Sequence, residues 1–357
     1  MIQVTKTWLP DKKRYKAYID RIYKNGWVTN NGPLVRELEE KLCDYLGVRH
    51  LVLVSNGTAA LEIAYRTLGL GGFAVTTPFS FVATTSSLVT NGILPIFADI
   101  NPDSLTIDPE QIEAQITPHT EAIVPVHVFG RICDVDRVEE IAAAHGLKVV
   151  YDASHAFGIR YRGESILNRG DISTLSFHAT KLFHTIEGGA LVIQDDDLVQ
   201  KARFLINFGI ENEESIPELG TNAKMNEFEA AMGLCMLEDI EEILAKRQEV
   251  HKRYTDALKD VVKFQKEVNH CNHNYSYFPI ILKDETQTLK IKTSLNEKNI
   301  FPRRYFYPSL DTLNYVEPKQ IMPISRNIST RILALPMYAG LSKAEQDLII
   351  KTIKDNV

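Results

Sequence analysis

The stretch His50–Leu70, HLVLVSNGTAALEIAYRTLGL, decides the fold. His50 to Val54 form a short β-branched and leucine run, Ser55 to Thr58 (SNGT) a polar turn, and Leu61, Ala64, Tyr65 and Leu68 recur at helical spacing. Gly69, Gly71 and Gly72 then end the helix. Strand, turn and helix in this order make one crossover unit, and the unit repeats on either side. AVTTP leads into FSFVATTSSLVTNG, ILPIFADI into DPEQIEAQI, EAIVPVHVF into DVDRVEEIAAAHG, and LKVVYDA into a loop. From about residue 34 to residue 200 the pattern predicts an α/β fold with one wound, mostly parallel sheet of about seven strands. In such sheets ligands gather at the carboxyl ends of the strands, so the residues just after each strand are the first candidates for chemistry.

Beyond the sheet, Asn226–Leu258 reads as a long helix whose apolar stripe is carried by Phe228, Met232, Leu237 and Ile240, preceded by Met225. It is expected to cross from a large domain, residues 1–245, to a small α+β C-terminal domain, residues 246–357. The small part combines a strand-like YSYFPIILK, a helical TLKIKTSLNEKNI, an aromatic and basic loop FPRRYFYP and a closing helix SKAEQDLIIKTIKD.

A chain of 357 residues, 44% hydrophobic and 24% charged, has room for about two domains with cores of their own. Forty Lys and Arg against 46 Asp and Glu give a formal charge of −6 with no basic block, so nucleic acid is not an expected partner. No apolar run approaches the roughly 20 residues of a membrane span, and no secretory leader is evident, which points to the cytoplasm. Cys43, Cys133, Cys235 and Cys271 form no CxxC pair, and the HCNH of His270–His273 lacks a second ligand cluster, so no metal is expected.

Neither GxGxxG nor GxxxxGK[ST] occurs, so an anion would have to be held elsewhere. SNGT lies where a helix N-terminus offers free N–H groups, with Gly57 allowing close approach and Thr58 a hydroxyl; the same residues would also serve simply as a helix cap. Asp152, in VVYDASHAFG, ends a buried strand and needs a donor or cation, which a pyridinium nitrogen or an ordinary turn would each supply. His155 either packs in the core or reaches the same ring. In SFHATKLFHTIEGGAL a strand runs into a polar segment with one lysine, Lys181, between Ser176 and the Gly188–Gly189 pair; this is the setting a Schiff-base lysine requires.

SNGTAAL, TPFSFVAT, PVHVFGRICDVD, YDASHAFG, SFHATKLFHTIEGGAL and TNAKMNEFEAAMG together resemble, in order and spacing, the pyridoxal-phosphate-dependent sugar-nucleotide aminotransferases of the DegT/StrS type. The resemblance runs from GWVTNNGPLVRELEEKL to the last helix. It implies the aspartate-aminotransferase fold (fold type I) and a homodimer with shared active sites. It also implies roles: Lys181 as the residue joined to pyridoxal 5′-phosphate, Asp152 on the pyridine nitrogen, and Gly57, Thr58 and Ser176 on the phosphate. Phe81 stands where an aromatic stacks on the ring, and His155 where the family more often has Gln, near the ring hydroxyl. Asn222 matches an Asn that reaches the partner subunit's phosphate site, although its neighbours here are Ala223 and Lys224 rather than an aromatic and an Arg.

SFH before the lysine and EGG after it resemble the branch that aminates C4 of a nucleotide-linked 4-keto-6-deoxy sugar with glutamate as donor. Its product would be dTDP-4-amino-4,6-dideoxyglucose for surface polysaccharide. Candidates to line the sugar pocket are Trp27, Thr29, His178, Arg303, Tyr305 and Tyr307, with solvated loop charge an equal reading of Arg303. The rivals are a 3-keto-sugar aminotransferase, a dehydratase, which would carry His in place of Lys181, and a retired cofactor-binding sensor, which would be expected to lose Lys181 or Asp152.

Overall fold

The computed structural model describes the whole chain, Met1–Val357. Seven strands form the central sheet: β1 (Leu51–Val54), β2 (Phe73–Thr76), β3 (Leu94–Phe97), β4 (Thr120–Val124), β5 (Lys148–Asp152), β6 (Ile172–Ser176) and β7 (Gly189–Ile193). Their order is β1-β7-β6-β5-β4-β2-β3, parallel throughout except for β7, which runs antiparallel to both neighbours. This is the expected wound, mostly parallel α/β sheet.

The strands are buried on both faces, as their unbroken apolar runs require. Leu51 and Leu53 point into one core layer, Val52 and Val54 into the other, following the two-residue period of a strand. On the second face lies α3 (Gly57–Leu68), burying Ala60, Leu61, Ala64 and Tyr65. The first face is covered by α2 (Pro33–Leu46), α5 (Val135–His145) and the start of α7 (Glu227–Leu258). The other helices of this part are α1 (Lys12–Asn25), α4 (Val82–Thr90) and α6 (Asp196–Leu205).

Helix α7 begins at a sharply defined point because Asn226 and Glu229 form a reciprocal capping box. Its first half packs Met232, Ile240 and Ile243 under the sheet, whereas Val250, Tyr254 and Leu258 belong to a separate core. That second core is built around a three-stranded sheet (Lys263–Phe264, Pro279–Ile281, Ile332–Ala334) with α8 (Glu285–Asn296) and α10 (Lys343–Lys354); α9 (Pro323–Arg331) runs into its last strand. The chain's N-terminus also enters it. Ile2–Gln3 pairs in parallel with Ile300–Phe301, and Ile2 is buried there, so residue 2 packs with the C-terminal core rather than with the residues that follow it in sequence. A pairing across nearly the whole chain has no local signal.

Candidate active site

Asp152 closes β5 with 5% of its surface exposed. Its Oδ2 accepts from the Thr84 hydroxyl at 2.7 Å and its Oδ1 from the Ser154 N–H at 3.1 Å. Ser80 Oγ lies 2.8 Å from Thr84 Oγ1, whose own proton is committed to Asp152, so Ser80 is the donor in that pair. Strand β5 and the first turn of α4 thus hold the carboxylate between hydroxyl and amide donors, with no cation bonded to it. These bonds give both oxygens of the buried carboxylate a donor.

Lys181 lies in the loop that joins β6 to β7. The loop is closed at its base by Phe177 N–H to the Gly188 carbonyl (2.8 Å) and Thr185 N–H to the Phe177 carbonyl (2.9 Å). A side chain at Gly189 would come within 2.6 Å of the Asn56 carbonyl, and one at Gly188 would strike Thr185, which is why the glycine pair stands here. The N-terminal segment straps the loop down: Thr7 Oγ1 donates to the Ala179 carbonyl at 3.0 Å, and His184 Nε2 meets the Trp8 carbonyl at 2.8 Å. Burial pushes the Lys181 amine down to about 8, helped by the charge of Arg303 and opposed by those of Asp152 and Tyr305. Its one hydrogen-bond partner in the chain is the Tyr277 hydroxyl, 3.5 Å away.

His155 faces the same space and stays neutral, held well below its ordinary value by burial and by the charge of Lys181. Its Nδ1 accepts the Phe129 N–H at 3.1 Å, so the neutral ring carries its proton on Nε2. Phe129 adopts a left-handed backbone (φ 59°) that aims this N–H. Asn274 holds the loop from behind by donating to the His155 and Phe157 carbonyls at 2.8 and 3.0 Å. Phe129 and Phe306 lie nearly parallel to the imidazole at 6.2 and 6.1 Å, and Tyr277 approaches to 4.6 Å.

At the SNGT turn, Asn56 is the N-cap of α3: its Oδ1 accepts from Ala59 N–H at 2.8 Å and its carbonyl from Ala60 N–H. This leaves the N–H groups of Gly57 and Thr58 available at the positive end of the helix. A Cβ at Gly57 would stand 2.7 Å from Ser176 Cβ, so only glycine lets the helix start come this close to the end of β6. The cap reading and the anion-site reading are therefore compatible, because different atoms serve each. Free N–H groups at Gly57 and Thr58 beside Ser176, a buried carboxylate at Asp152 and a half-buried amine of lowered basicity at Lys181 make a donor set that fits pyridoxal phosphate.

The other candidates fall into two groups. Phe81 immediately precedes α4 with 48% of its surface exposed, beside Ser80 and Val82, and Tyr305 and Arg303 lie close enough to Lys181 to affect its charge. Arg303 sits over the Tyr305 ring at 4.5 Å. His178 is half exposed near the lysine, with Nδ1 2.8 Å from Thr180 Oγ1 and Nε2 3.5 Å from Glu187. The rest are not gathered in by their own chain. Tyr307 stacks under Arg304 at 3.7 Å, and Arg304 is itself paired with Glu285 on α8. Trp27 and Thr29 are exposed between α1 and α2, and Asn222 is exposed beside Asn207. None of these three hydrogen-bonds to the Lys181 cluster. Tyr277, Thr84, Phe129 and Asn274 are additions that sequence reading did not single out; only their three-dimensional partners mark them.

The chain is 42% identical to a dTDP-4-amino-4,6-dideoxy-D-glucose transaminase of Shigella dysenteriae, over 99% of this chain and 98% of that one. With a transaminase of the same name from Escherichia coli the identity is 38%, over 99% and 97%. A solved structure of DesI, determined in the presence of its TDP-sugar product, superposes with a TM-score of 0.94 at 34% identity and covers 99% of this chain and 92% of that one. The model of the DegT/DnrJ/EryC1/StrS aminotransferase family matches residues 10–354. The chain belongs to that family: it is an aminotransferase, and its cofactor is pyridoxal 5′-phosphate.

Proposed function

We propose that the enzyme transfers an amino group from glutamate to C4 of a dTDP-linked 4-keto-6-deoxyhexose, yielding dTDP-4-amino-4,6-dideoxyglucose for a surface polysaccharide. The observation that carries this reading is full-length similarity to two transaminases of that name in a chain that keeps a half-buried Lys181 and a buried Asp152 near one another. The same observation disfavours a retired sensor, and the lysine itself disfavours a dehydratase.

Gly57, Thr58 and Ser176 would hold the phosphate, Asp152 the pyridine nitrogen, Phe81 one ring face, and His155 Nε2–H the ring hydroxyl. Bound there, pyridoxal phosphate supplies an electron sink for the pair left when a C–H bond beside nitrogen breaks. Lys181 Nζ moves the proton. An amine near 8 is part neutral at physiological pH, where an ordinary lysine is almost wholly charged, so it can take up the α-proton of the donor and return it. Asp152, held in place by Thr84 and Ser154, would favour a positive charge at the pyridine nitrogen. The strap of Thr7 and Trp8 keeps the lysine loop from opening to water.

Trp27, Thr29, His178, Arg303, Tyr305 and Tyr307 remain the candidates for sugar and diphosphate, some of them acting from a second subunit. We place the enzyme in the cytoplasm as a homodimer, with residues 1–245 as the cofactor-binding part and 246–357 as the smaller part, to which Ile2–Gln3 adds a strand. No helix is long and apolar enough to cross a membrane.

Mass spectrometry of products tests the reading. Purified enzyme with pyridoxal phosphate and glutamate should convert dTDP-4-keto-6-deoxyglucose to the amino sugar and release 2-oxoglutarate. Amination of 3-keto sugars alone, or no product with glutamate, would overturn the regiochemistry or the donor respectively.

A further inference from the structure

Tyr277 is buried, with 8% of its surface exposed, and its ring packs 4.6 Å from that of His155 and 5.5 Å from that of Phe129. The backbone before it is fixed from α7. Arg247 Nε donates to the Tyr275 carbonyl at 2.9 Å and Nη2 to the Ser276 carbonyl at 2.7 Å. A buried guanidinium spent on two consecutive carbonyls leaves the following side chain little freedom. The hydroxyl of that side chain ends 3.5 Å from Lys181 Nζ and has no other partner. The contact is at the outer limit of a hydrogen bond, as contacts between reacting groups often are before a ligand tightens them.

We propose that Tyr277 is a positioning residue for the transamination, its hydroxyl holding the Lys181 amine over the reacting atoms whenever that amine is free of the cofactor. This rests on the reading of Lys181 given above. A phenol suits the task because it can both accept and donate. Toward an ammonium it accepts; toward a neutral amine it can turn and donate. The amine therefore keeps one anchor through a full cycle of proton uptake and release. A carboxylate at this place would pin the charged form, and a phenyl ring would hold neither.

The other groups facing the amine cannot take over. Asp152 is committed to Thr84 and Ser154, Arg303 repels an ammonium, and the Tyr305 hydroxyl is engaged by Arg303 at 3.4 Å. His155 carries no charge, and burial pushes Tyr277 itself up to about 12, so it stays a phenol while Lys181 titrates.

Tyr277→Phe removes the oxygen and keeps the ring against His155. In cofactor-free protein, the pH dependence of Lys181 acetylation by acetic anhydride, read by peptide mass spectrometry, should show a midpoint near 8 for wild type. In Y277F it should fall by about one pH unit, because the charge-assisted bond lost by the ammonium is stronger than the neutral bond lost by the amine. In loaded enzyme, kcat should fall about tenfold with KM for the sugar nucleotide unchanged, and the isotope effect with α-deuterated donor should rise. Tyr277→Leu serves as the packing control: it should lower thermal stability, which Y277F leaves in place. An unchanged midpoint and isotope effect in Y277F would reduce Tyr277 to packing and overturn the proposal. The midpoint comparison needs no turnover, so it decides the Tyr277 contact even where no keto sugar is converted, the result that would sink the functional reading instead.

Discussion

Asp152 and Lys181 place opposite demands on one small space. The carboxylate must stay charged although 5% of it is exposed, and the amine must shed its charge more readily than an ordinary lysine. Thr84 and Ser154 give the carboxylate its hydrogen-bond donors, and burial lowers the basicity of the amine. A direct ion pair between them would defeat the second demand, because a carboxylate in contact holds an amine in its charged form. Asp152→Asn should therefore keep the cofactor and lose turnover by about a hundredfold or more, since an amide cannot stabilise a protonated ring. Thr84→Val should cost about tenfold, because one of the hydrogen bonds that orient the carboxylate is lost. Cofactor content from absorbance and kcat from coupled turnover check both. Near-normal activity of Asp152→Asn would return this residue to the role of capping the turn at Ser154.

At the scale of elements, the junction of α3 with β6 carries the most demand per atom. The helix cap, the proposed phosphate cup and the strand end meet at Gly57, where a methyl group would stand 2.7 Å from Ser176 Cβ. Gly57 has no positive φ, so Gly57→Ala does not strain the backbone itself. The added methyl must still push the start of α3 or the end of β6 aside, so the substitution should lower the melting temperature modestly and weaken cofactor retention, measured by dialysis and reconstitution, out of proportion, by about tenfold or more. Equal loss of stability and retention would show that the glycine serves packing alone. Much of this was legible in the sequence. Strand, polar turn and helix periodicity are local, so β1, SNGT and α3, as well as the lysine loop with its glycine pair, could be read from neighbours alone. The strand order and the antiparallel β7 follow from long-range pairing, which periodicity does not encode. The same holds for Thr84, Tyr277 and Asn274: a threonine inside a helix and a tyrosine in a strand-like run look like packing until their partners, 68, 96 and 119 residues away for Asp152, Lys181 and His155, are placed.

The whole molecule raises the question of what Asn222 is for. Its neighbour Ala223 accepts the Ser55 N–H at 2.8 Å, and Lys224 bridges to Val54, so this segment extends the edge of the sheet beside β1. Asn222 itself remains exposed and makes only a backbone bridge to Asn207, without a side-chain bond to the phosphate cup of its own chain. Near it in sequence, Phe208, Ile216 and Leu219 expose 51%, 68% and 88% of their surface on the acidic segment from Gly209 to Gly220 and just before it. Both features suit a side chain that works in a second copy, where a two-fold axis would build two equivalent composite sites. Mixing Lys181→Ala protein with Asn222→Ala protein and allowing subunits to exchange tests this. In a mixed dimer with shared sites, one site collects both lesions and the other neither. Activity should then rise above that of either parent, toward about a quarter of wild type when exchange is complete and half the dimers are mixed. Exchange is verified by native mass spectrometry of differently tagged subunits. A mixture that shows only the average of its parents despite full exchange would place Asn222 in the service of its own chain, and the composite site would have to be given up.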